Sequence, residues 1–521
     1  MKFKIQNSKF KILLAAILIL AAVLRLYRIG DYMTFLGDEG RDALVVYNIL
    51  HGHLTLLGPT SSVGGFFLGP IYYYFSAPFL LLSNFNPVGP SIMVALFGIA
   101  TVWLIYKIGE RTFNKSTGLI AAFLYAISPI VVTASKSSWN PNLMPFFTIA
   151  TLYCLFFALK KAGLRLFVLA GIFFGILMQL HYLATFVAVI IVVYVLAYHY
   201  SNILGNIRMI AKQYLAISLG FLIGFSPFLL FELRHGFTNT VNILTFIFNS
   251  KDTGAGEQIL GNIYRVVLRL FGGITLNFPL EVKFPDYNSN ILNIWMILSL
   301  LVGLFATALL ITQTKKLLRQ RDDIFYKRLL LLIWLFFGVF LFGFYKKPIY
   351  DYYLEFMFPI PFLLVSNLAV FAFEQRRYYK LGKVLALGIV LLSIFSSIIY
   401  SPLRNFPNYQ INQTKIISDF VLSQTGENPY NFALISGGNS DHAYRYFFKL
   451  AARDPVVIQF PGIDPQRKSV TDQLLVVCDT LPCGPLGYSL WEVAGFGRAQ
   501  IAGHWKVSVV EVYKLVHYGG K

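Results

Sequence analysis

A dense charged cluster directly after the first apolar run is the part of the sequence best suited to chemistry. The stretch "TFLGDEGRDA" holds Asp38, Glu39, Arg41 and Asp42. If a helix begins near Asp38, then Asp38, Arg41 and Asp42 share one face, because positions three and four apart are neighbours on a helix. A carboxylate there can take a proton from a hydroxyl nucleophile, and an adjacent arginine can hold a phosphate. The same spacing also fits an ordinary helix start with Asp38 as N-cap.

Polar and aromatic residues at the ends of later apolar runs extend this candidate site. They occur in "GGFFLGPIYYYFSAPF", "SKSSWNPNLMPFF", "QLHYLATF" and "FELRHGF". The candidate cavity residues in these stretches are Tyr73, Trp139, Asn140, His181, Tyr182, Glu232 and Arg234. Trp139 and Asn140 can stack on a sugar and hydrogen-bond it, although an Asn-Pro pair can also simply start a helix. Ionisable groups gathered at one side of a membrane are candidates for function.

The sequence contains no motif that requires a cofactor. It does contain residues that could bind a divalent metal ion. Asp38, His181 and Glu232 carry oxygen and nitrogen donors of the kind that bind such an ion, but no metal motif relates their positions. His51 and His53 in "LHGHL" also have ligand chemistry. Histidines of a surface helix at the membrane interface account for that pair equally well.

The elements that position these residues are predicted to be membrane helices. Of the 521 residues 56% are hydrophobic and only 13% are charged, whereas a soluble domain carries about 25% charged residues. The net charge of +20 lies in short clusters between apolar runs, which disfavours a nucleic-acid partner. Runs of about 20 apolar residues predict eleven transmembrane helices. They lie near 11–29, 90–108, 117–134, 142–160, 166–183, 184–200, 214–232, 291–313, 329–345, 355–373 and 383–400.

The distribution of basic residues predicts how these helices are oriented. The loops "KIGERTFNK", "KKAGLR", "RMIAK", "TKKLLRQRDDIFYKR" and "EQRRYYKLGK" are short and basic, which is typical of cytoplasmic loops. The alternate loops are longer and rich in aromatic residues, and we assign them to the outside. The N-terminus resembles a signal peptide but lacks a small-residue cleavage site, so we expect a retained first helix that starts inside. The outer loops 30–89 and 233–290 contain half-apolar stretches that predict amphipathic surface helices.

The composition changes near residue 401, where a smaller soluble domain is predicted to begin. "FALISGG" and "DQLLVVCD" predict buried strands, "SDHAYRYFFKLAA" a helix capped by Ser440 or Asp441, and "KVSVVEVYKLV" one alternating strand. We therefore predict a transmembrane domain over 1–400 and an α/β domain over 401–521. Eleven helices with the N-terminus inside place the second domain outside. Cys478 and Cys483 can close a disulfide loop there or remain free thiols.

The sequence around the charged cluster resembles that of the GT-C glycosyltransferases. "LRLYRIGDYMTFLGDEGRDALVVYNIL" is similar to the first helix and first external loop of the glycosyltransferase family 39 group. That group includes protein O-mannosyltransferases and the aminoarabinose transferase of lipid A. "LGPIYYYFSAPF" resembles its Pro-Leu-Tyr-Tyr segment, and "YDYYLEFMFPIPFLL" resembles the Tyr-Tyr and proline-rich start of a late helix. The resemblance covers roughly the first 400 residues.

The resemblance implies transfer of a sugar from a polyprenyl-phosphate donor to a lipid, protein or polysaccharide acceptor. The reaction takes place at the outer face of the cytoplasmic membrane. Asp38 matches the family's acidic residue at the reaction centre, Glu39 its supporting partner, and Arg41 an arginine that contacts the lipid phosphate. The aminoarabinose transferase also uses a lysine before its Pro-Pro segment, and "FFLGP" has no basic residue. The candidates for a second phosphate contact are Arg234, Lys346 and Lys347.

A membrane transporter or lipid-sugar flippase is the alternative function. It would explain the helices and the charges of the loops, but it predicts charged or broken positions near mid-span and often a repeated half. The polar groups lie instead at the predicted outer helix ends. A non-catalytic scaffold that displays the C-terminal domain would leave the acidic pair without a role. The sequence therefore favours a membrane glycosyltransferase.

Overall fold

The protein folds mainly into helices, and its strands lie near the C-terminus. A computed structural model describes residues 2–61, 64–161, 163–249, 254, 258–277, 289–375 and 379–519. Four of the predicted loops fall partly outside these residues. They are the basic loops that contain residues 162 and 376–378, and the outer loops 30–89 and 233–290.

The helices of the described residues are numbered here in chain order. They are α1 (Lys2–Leu26), α2 (Ile29–Tyr32), α3 (Gly37–Leu50), α4 (Ile71–Leu82), α5 (Val88–Thr112), α6 (Lys115–Ile127), α7 (Pro129–Ala134), α8 (Met144–Lys161), α9 (Leu164–Leu180), α10 (Thr185–Tyr198), α11 (Ile207–Gly224), α12 (Ser226–Arg234), α13 (Thr238–Asn249), α14 (Ile259–Leu268), α15 (Ser289–Lys315), α16 (Asp323–Phe340), α17 (Pro359–Glu374), α18 (Tyr379–Ile399), α19 (Gln410–Thr425), α20 (His442–Leu450) and α21 (Trp491–Phe496). Short 3₁₀ turns cover Asn140–Leu143, Tyr182–Ala184, Tyr200–Asn202, Leu341–Phe344, Asp351–Met357 and Pro402–Arg404, and Arg269–Thr275 is π-helical.

Several of these helices are long and apolar enough to cross a membrane, which makes the chain a multi-pass membrane protein. Six qualify within the described residues, and the bent pair Asp351–Met357 and Pro359–Glu374 would add a seventh. The six are Val88–Thr112, Asn140–Lys161, Ile207–Gly224, Asn293–Lys315, Asp323–Phe344 and Tyr379–Arg404. Four further apolar helices are shorter. The predicted total of eleven spans is therefore not confirmed.

Two segments predicted as single helices are each divided at a proline. The segment 117–134 contains α6 and α7, which are separated at Ser128, directly before Pro129. The segment 214–232 contains parts of α11 and α12, with Pro227 in the first turn of α12. Proline lacks the N–H that a continuous helix needs, and it biases the preceding residue towards extended backbone. Ser128 has that extended conformation, with φ −60° and ψ 123°.

The chain divides into two compact units. The first contains Met1–Tyr27, Thr55–Phe75 and Ile92–Phe406, and the second contains Arg28–Leu54, Ser76–Ser91 and Pro407–Lys521. The second unit thus joins the helix of the charged cluster, α3, to the C-terminal part of the chain. The division at residue 400 stays a prediction from composition.

A four-stranded sheet forms the core of the C-terminal part. Its strands are β1 (Asn431–Ile435), β2 (Gln473–Cys478), β3 (Ala499–Val507) and β4 (Val510–His517), in the spatial order β1-β2-β4-β3. β1 and β2 are parallel, and β4 is antiparallel to both of its neighbours. All side chains of β1 and β2 are buried, because apolar clusters cover both faces of the sheet.

The hairpin between β3 and β4 corrects one prediction. "KVSVVEVYKLV" was expected to be a single strand, but Ser508 and Val509 form a tight turn inside it. Ser508 has the left-handed φ of 53° that such turns require. Alternation continues on both sides of the turn, so the pattern alone cannot reveal the reversal. At the end of β2, Cys478 and Cys483 are joined by a disulfide.

Candidate active site

The charged cluster lies in the first turns of α3, in the second unit. Leu36 has extended backbone and Gly37 is the first helical residue, so the alternative in which Asp38 is the N-cap is wrong. Glu39 fulfils part of that role, because its Oε2 accepts a hydrogen bond from the backbone N of Leu36 at 3.1 Å. Glu39 is 8% exposed. Burial raises its pKa to about 7, with a smaller contribution from the charges of Asp38 and Asp42.

Arg41 links the two aspartates of the cluster. Its Nη1 lies 2.9 Å from Asp38 Oδ1, while Nη2 and Nε lie 2.8 and 3.0 Å from Asp42 Oδ1. The Asp42 side chain is 3% exposed, whereas that of Asp38 is 54% exposed. The predicted face of Asp38, Arg41 and Asp42 therefore exists. The outermost group of this face is the Asp38 carboxylate. Arg41 contacts this carboxylate and is itself fixed by the buried Asp42.

The loop that follows β1 packs on this same turn of α3. Asn439 accepts a hydrogen bond from the backbone N of Gly37, at 2.8 Å from its Oδ1. A Cβ atom on Gly37 would overlap Ser440, and one on Gly40 would overlap the backbone of Ala443. Glycine at both positions lets α3 and α20 approach at backbone distance.

Ser440 and His442 are functional candidates that the sequence did not reveal. The Oγ of Ser440 lies 2.7 Å from Nδ1 of His442. The pKa of His442 is lowered by burial and by the positive charge of Arg41, while the nearby carboxylates of Asp441 and Asp38 oppose that shift. The sequence placed Ser440 or Asp441 at the N-cap of this helix. Asp441 does occupy that position, but its side chain pairs with Arg445 instead of capping.

The aromatic candidates lie in the first unit, where most of them gather in one cluster. His181 stacks on Tyr182 with ring centroids 4.4 Å apart, and the Tyr182 hydroxyl lies 3.3 Å from that of Tyr345. Trp139 packs against Tyr352 at 4.5 Å. Tyr73 is 2% exposed and packs against Tyr72 instead. Most of these rings contact one another around the break between α9 and α10.

Two polar candidates of this unit are already engaged by the backbone. Asn140 is buried, and its Nδ2 donates to the carbonyl O of Leu180 at 2.5 Å. His181 is also buried, and its Nδ1 accepts from the backbone N of Leu183 at 3.2 Å. Asn140 also opens the 3₁₀ turn before α8, so the alternative of a helix start applies to it. Both side chains help to hold the ends of the helices that they join.

Glu232 and the basic candidates differ in their exposure. Glu232 is 1% exposed, and its Oε2 accepts from the backbone N of Thr240 at 2.8 Å. Its Oε1 has no hydrogen-bond partner within the described part of the chain. Arg234, Lys346 and Lys347 are exposed. Their role as phosphate contacts stays a prediction.

Two buried cations of the first unit were not singled out from the sequence. Arg25 is fully buried, and its Nη1 donates to the carbonyl O of Ala126 at 3.0 Å. Lys136 is 2% exposed, and its Nζ donates to the carbonyl O of Tyr27 at 2.8 Å. The sequence signal was weak, because basic residues beside apolar runs usually extend to the membrane surface.

A metal ion stays a prediction of the sequence. Among the residues that the structure describes, no group of three His, Cys, Asp or Glu side chains is placed to hold one. Of the three residues considered for it, Asp38 belongs to the second unit, and His181 and Glu232 belong to the first.

Comparison with solved structures defines the class of fold. ArnT from Cupriavidus metallidurans bound to undecaprenyl phosphate is similar over 98% of both chains, with a TM-score of 0.60 at 11% sequence identity. The archaeal oligosaccharyltransferase AglB from Archaeoglobus fulgidus, in complex with an inhibitory peptide and a dolichol-phosphate, is also similar. It has a TM-score of 0.53 and 14% identity, over 90% of this chain and 69% of AglB. The chain therefore shares the fold of these two proteins.

Sequence comparison adds a narrower relationship. Residues 68–231 match the family described as Dolichyl-phosphate-mannose-protein mannosyltransferase. The putative mannosyltransferase YkcB of Bacillus subtilis (strain 168) is 29% identical over 104 residues, which are 20% of this chain and 14% of YkcB. YycA of the same strain, also a putative mannosyltransferase, is 27% identical over 114 residues, which are 21% of this chain and 17% of YycA. The matched segments span about one sixth of the length of these relatives. Together, the sequence and structure comparisons confirm the predicted resemblance to family 39-type GT-C glycosyltransferases.

Proposed function

We propose that the protein transfers a sugar from a polyprenyl-phosphate donor to a hydroxyl group of an acceptor, with Asp38 at the reaction centre. The observation that carries this proposal is the arrangement of α3. It presents one exposed carboxylate, Asp38, held by Arg41 against the buried Asp42, in a chain with the GT-C fold. A carboxylate held in this way is positioned to act as a general base.

The reaction is a single displacement at the anomeric carbon of the sugar. The acceptor oxygen forms a bond to that carbon while the bond to the phosphate oxygen breaks, and the polyprenyl phosphate leaves with the bonding electrons. The proton of the acceptor hydroxyl passes to Asp38. Because phosphate is a good leaving group, the protein needs to supply chiefly positioning and charge.

Arg41 is our candidate for the contact to the donor phosphate. Its guanidinium contacts both Asp38 and Asp42 in the structure, beside the proposed base. An arginine holds a phosphate by charge-assisted hydrogen bonds, so Arg41 is suited to bind the donor phosphate next to Asp38. Glu39 supports this turn of α3 through its hydrogen bond to Leu36.

The aromatic cluster of the first unit is proposed to bind the sugar or the acceptor. Trp139 and Tyr182 offer flat apolar faces of the kind on which sugar rings stack. Tyr73, on α4, is a further aromatic candidate that lies outside the cluster. Glu232 offers a buried carboxylate oxygen that the protein itself leaves without a hydrogen bond within its described residues. These assignments are based on the chemistry of the side chains and on the position of His181 and Tyr182 at the break between α9 and α10.

We place the second unit on the outer side of the cytoplasmic membrane. The disulfide between Cys478 and Cys483 supports this side, because disulfides persist in oxidising compartments. The short basic loops, which are typical of the cytoplasmic side, support the same orientation.

The test is transfer of labelled sugar by the purified full-length protein. Mannose is the first sugar to test, because the matched family and the two Bacillus subtilis relatives are described as mannosyltransferases. We expect a detergent extract of the source membranes to accept label from polyprenyl-phosphate [¹⁴C]mannose, and Asp38→Asn to abolish the transfer. Asp419→Asn, at an exposed ion pair of α19, is the matched control. Equal transfer by wild type and Asp38→Asn would refute the catalytic role, and solute or lipid movement without covalent transfer would indicate a flippase.

A further inference from the structure

The loop between β1 and α20 brings a histidine to the charged face of α3. A Cβ atom on Gly40 would lie 2.6 Å from the backbone C of His442, so this residue borders the turn that carries Asp38 and Arg41. The charges that act on its ring are Asp38 and Arg41 from α3, with Asp441 and Arg445 from its own helix. His442 therefore adjoins the turn of α3 that carries the proposed general base, although it belongs to the C-terminal part of the chain.

The two ring nitrogens of His442 differ in their surroundings. Nδ1 lies 2.7 Å from the Ser440 hydroxyl. Nε2 has no hydrogen-bond partner in the described ranges of the chain, and the side chain is only partly buried. If Ser440 donates to Nδ1, then Nε2 carries the proton and donates. If Nδ1 donates to Ser440, then Nε2 accepts.

A hydroxyl group is the ligand that suits both of these states. A hydroxyl can donate one hydrogen bond and accept two, so it can pair with Nε2 in either tautomer. A phosphate suits the ring less well, because burial and Arg41 lower the pKa of His442 and so favour the neutral ring. The ring is thus better suited to a neutral, hydroxyl-bearing group than to the donor's phosphate.

We infer that His442, oriented by Ser440, belongs to the acceptor subsite and that its Nε2 hydrogen-bonds a hydroxyl of the acceptor beside Asp38. This inference rests on the proposed function, because it assigns a role within the same site. The C-terminal domain then takes part in acceptor selection, since it supplies the histidine. The acceptor is defined here by its hydroxyl chemistry, which a lipid, a protein or a polysaccharide can provide.

The test separates transfer to the acceptor from transfer to water. The purified full-length protein receives polyprenyl-phosphate [¹⁴C]mannose with graded amounts of the membrane extract. Label is counted in the lipid-soluble, protein and polysaccharide fractions, which identify the acceptor, and as free mannose, which reports hydrolysis. His442→Asn keeps an amide near the position of Nδ1 but lacks Nε2, whereas His442→Gln keeps a polar group near Nε2. We expect His442→Asn to lower transfer about tenfold, the effect of one lost hydrogen bond. Hydrolysis should stay within twofold, and His442→Gln should recover part of the transfer.

Two further variants control this experiment. His504→Asn alters an exposed histidine of β3 and should transfer like the wild type. Ser440→Ala removes the hydroxyl that orients the ring, and it tests the inference even if His442→Asn fails to fold. The inference is overturned if either His442→Asn or Ser440→Ala transfers like the wild type, or if transfer and hydrolysis fall equally. A wild-type protein that yields no labelled product overturns the proposed function first, so the two failures are distinguishable.

Discussion

The guanidinium of Arg41 places two nitrogens, Nη2 and Nε, at 2.8 and 3.0 Å from a single oxygen of the buried Asp42 carboxylate. Its remaining terminal nitrogen reaches the exposed Asp38 carboxylate. This geometry needs a planar group with several donors, which arginine has and lysine does not. Because Asp42 is buried and fixes Arg41, the arginine in turn holds the Asp38 carboxylate in one orientation.

Replacement of Arg41 by lysine should therefore impair the reaction although the charge is kept. Arg41→Lys cannot bridge Asp38 and Asp42 at the same time, so Asp38 loses its orientation. We expect kcat for labelled-sugar transfer to fall by about 10- to 100-fold, which corresponds to about 1.4–3 kcal/mol of transition-state stabilisation. Arg498→Lys, at an exposed arginine of the C-terminal part, is the control for the chemical change. Transfer by Arg41→Lys at the wild-type rate would show that the bridge is not needed.

The buried Glu39 should make the stability of the protein depend on pH. Its folded-state pKa of about 7 lies above the ordinary value of 4.5. A carboxyl group with a raised pKa stabilises the fold fully below its unfolded-state pKa, and that contribution is lost as the pH rises through 7. The loss amounts to at most about 3 kcal/mol. Thermal unfolding in detergent, followed by tryptophan fluorescence between pH 5 and pH 8.5, measures it.

The matched variant for this prediction is Glu39→Gln. Its amide oxygen can still accept from the backbone N of Leu36, but the side chain no longer titrates. We expect the unfolding temperature of the variant to change less with pH than that of the wild type, and to exceed it at pH 8.5. Identical pH profiles for the two proteins would show that Glu39 does not titrate in this range.

Local patterns in the sequence predicted the parts of the site that depend on neighbouring residues. The helix of the charged cluster and the pairing of Arg41 with Asp38 and Asp42 depend on spacings of three, four and one, which are visible in the sequence. The alternative of Asp38 as N-cap is wrong because the helix begins two residues earlier than that alternative requires, at Gly37. Such boundaries are the least certain part of a pattern-based prediction.

The tertiary contacts of the site could not be predicted in the same way. Gly37 and Asn439 are hydrogen-bonded although they are 402 positions apart, and no periodicity links α3 to the loop after β1. Asn140 was predicted as a sugar contact because its amide can bind hydroxyls. In the structure its Nδ2 donates to the carbonyl O of Leu180. Buried carbonyl groups need such a partner, but the sequence does not show which side chain will provide it.

The close approach of α3 and α20 should be sensitive to a single methyl group. Gly40→Ala places a Cβ atom where the backbone of Ala443 lies, so the two helices must separate. We expect the free energy of unfolding to fall by about 1–3 kcal/mol, the usual cost of overpacking. Sugar transfer should fall as well, because Arg41 and His442 move apart. Gly462→Ala, with nothing within 4 Å of the added methyl group, is the control. A variant at Gly40 as stable as this control would argue against the packing described.

The buried amide of Asn140 should contribute to stability more than to binding of the donor. Asn140→Ala leaves the carbonyl O of Leu180 without its 2.5 Å hydrogen bond in a buried position, which costs about 1–3 kcal/mol. We expect a lower unfolding temperature with an unchanged KM for polyprenyl-phosphate mannose. Asn242→Ala, whose amide makes only a 3.4 Å contact with Gly65, should unfold like the wild type. If Asn140→Ala keeps the wild-type unfolding temperature but raises this KM, Asn140 is a sugar contact after all and the hydrogen bond to Leu180 contributes little.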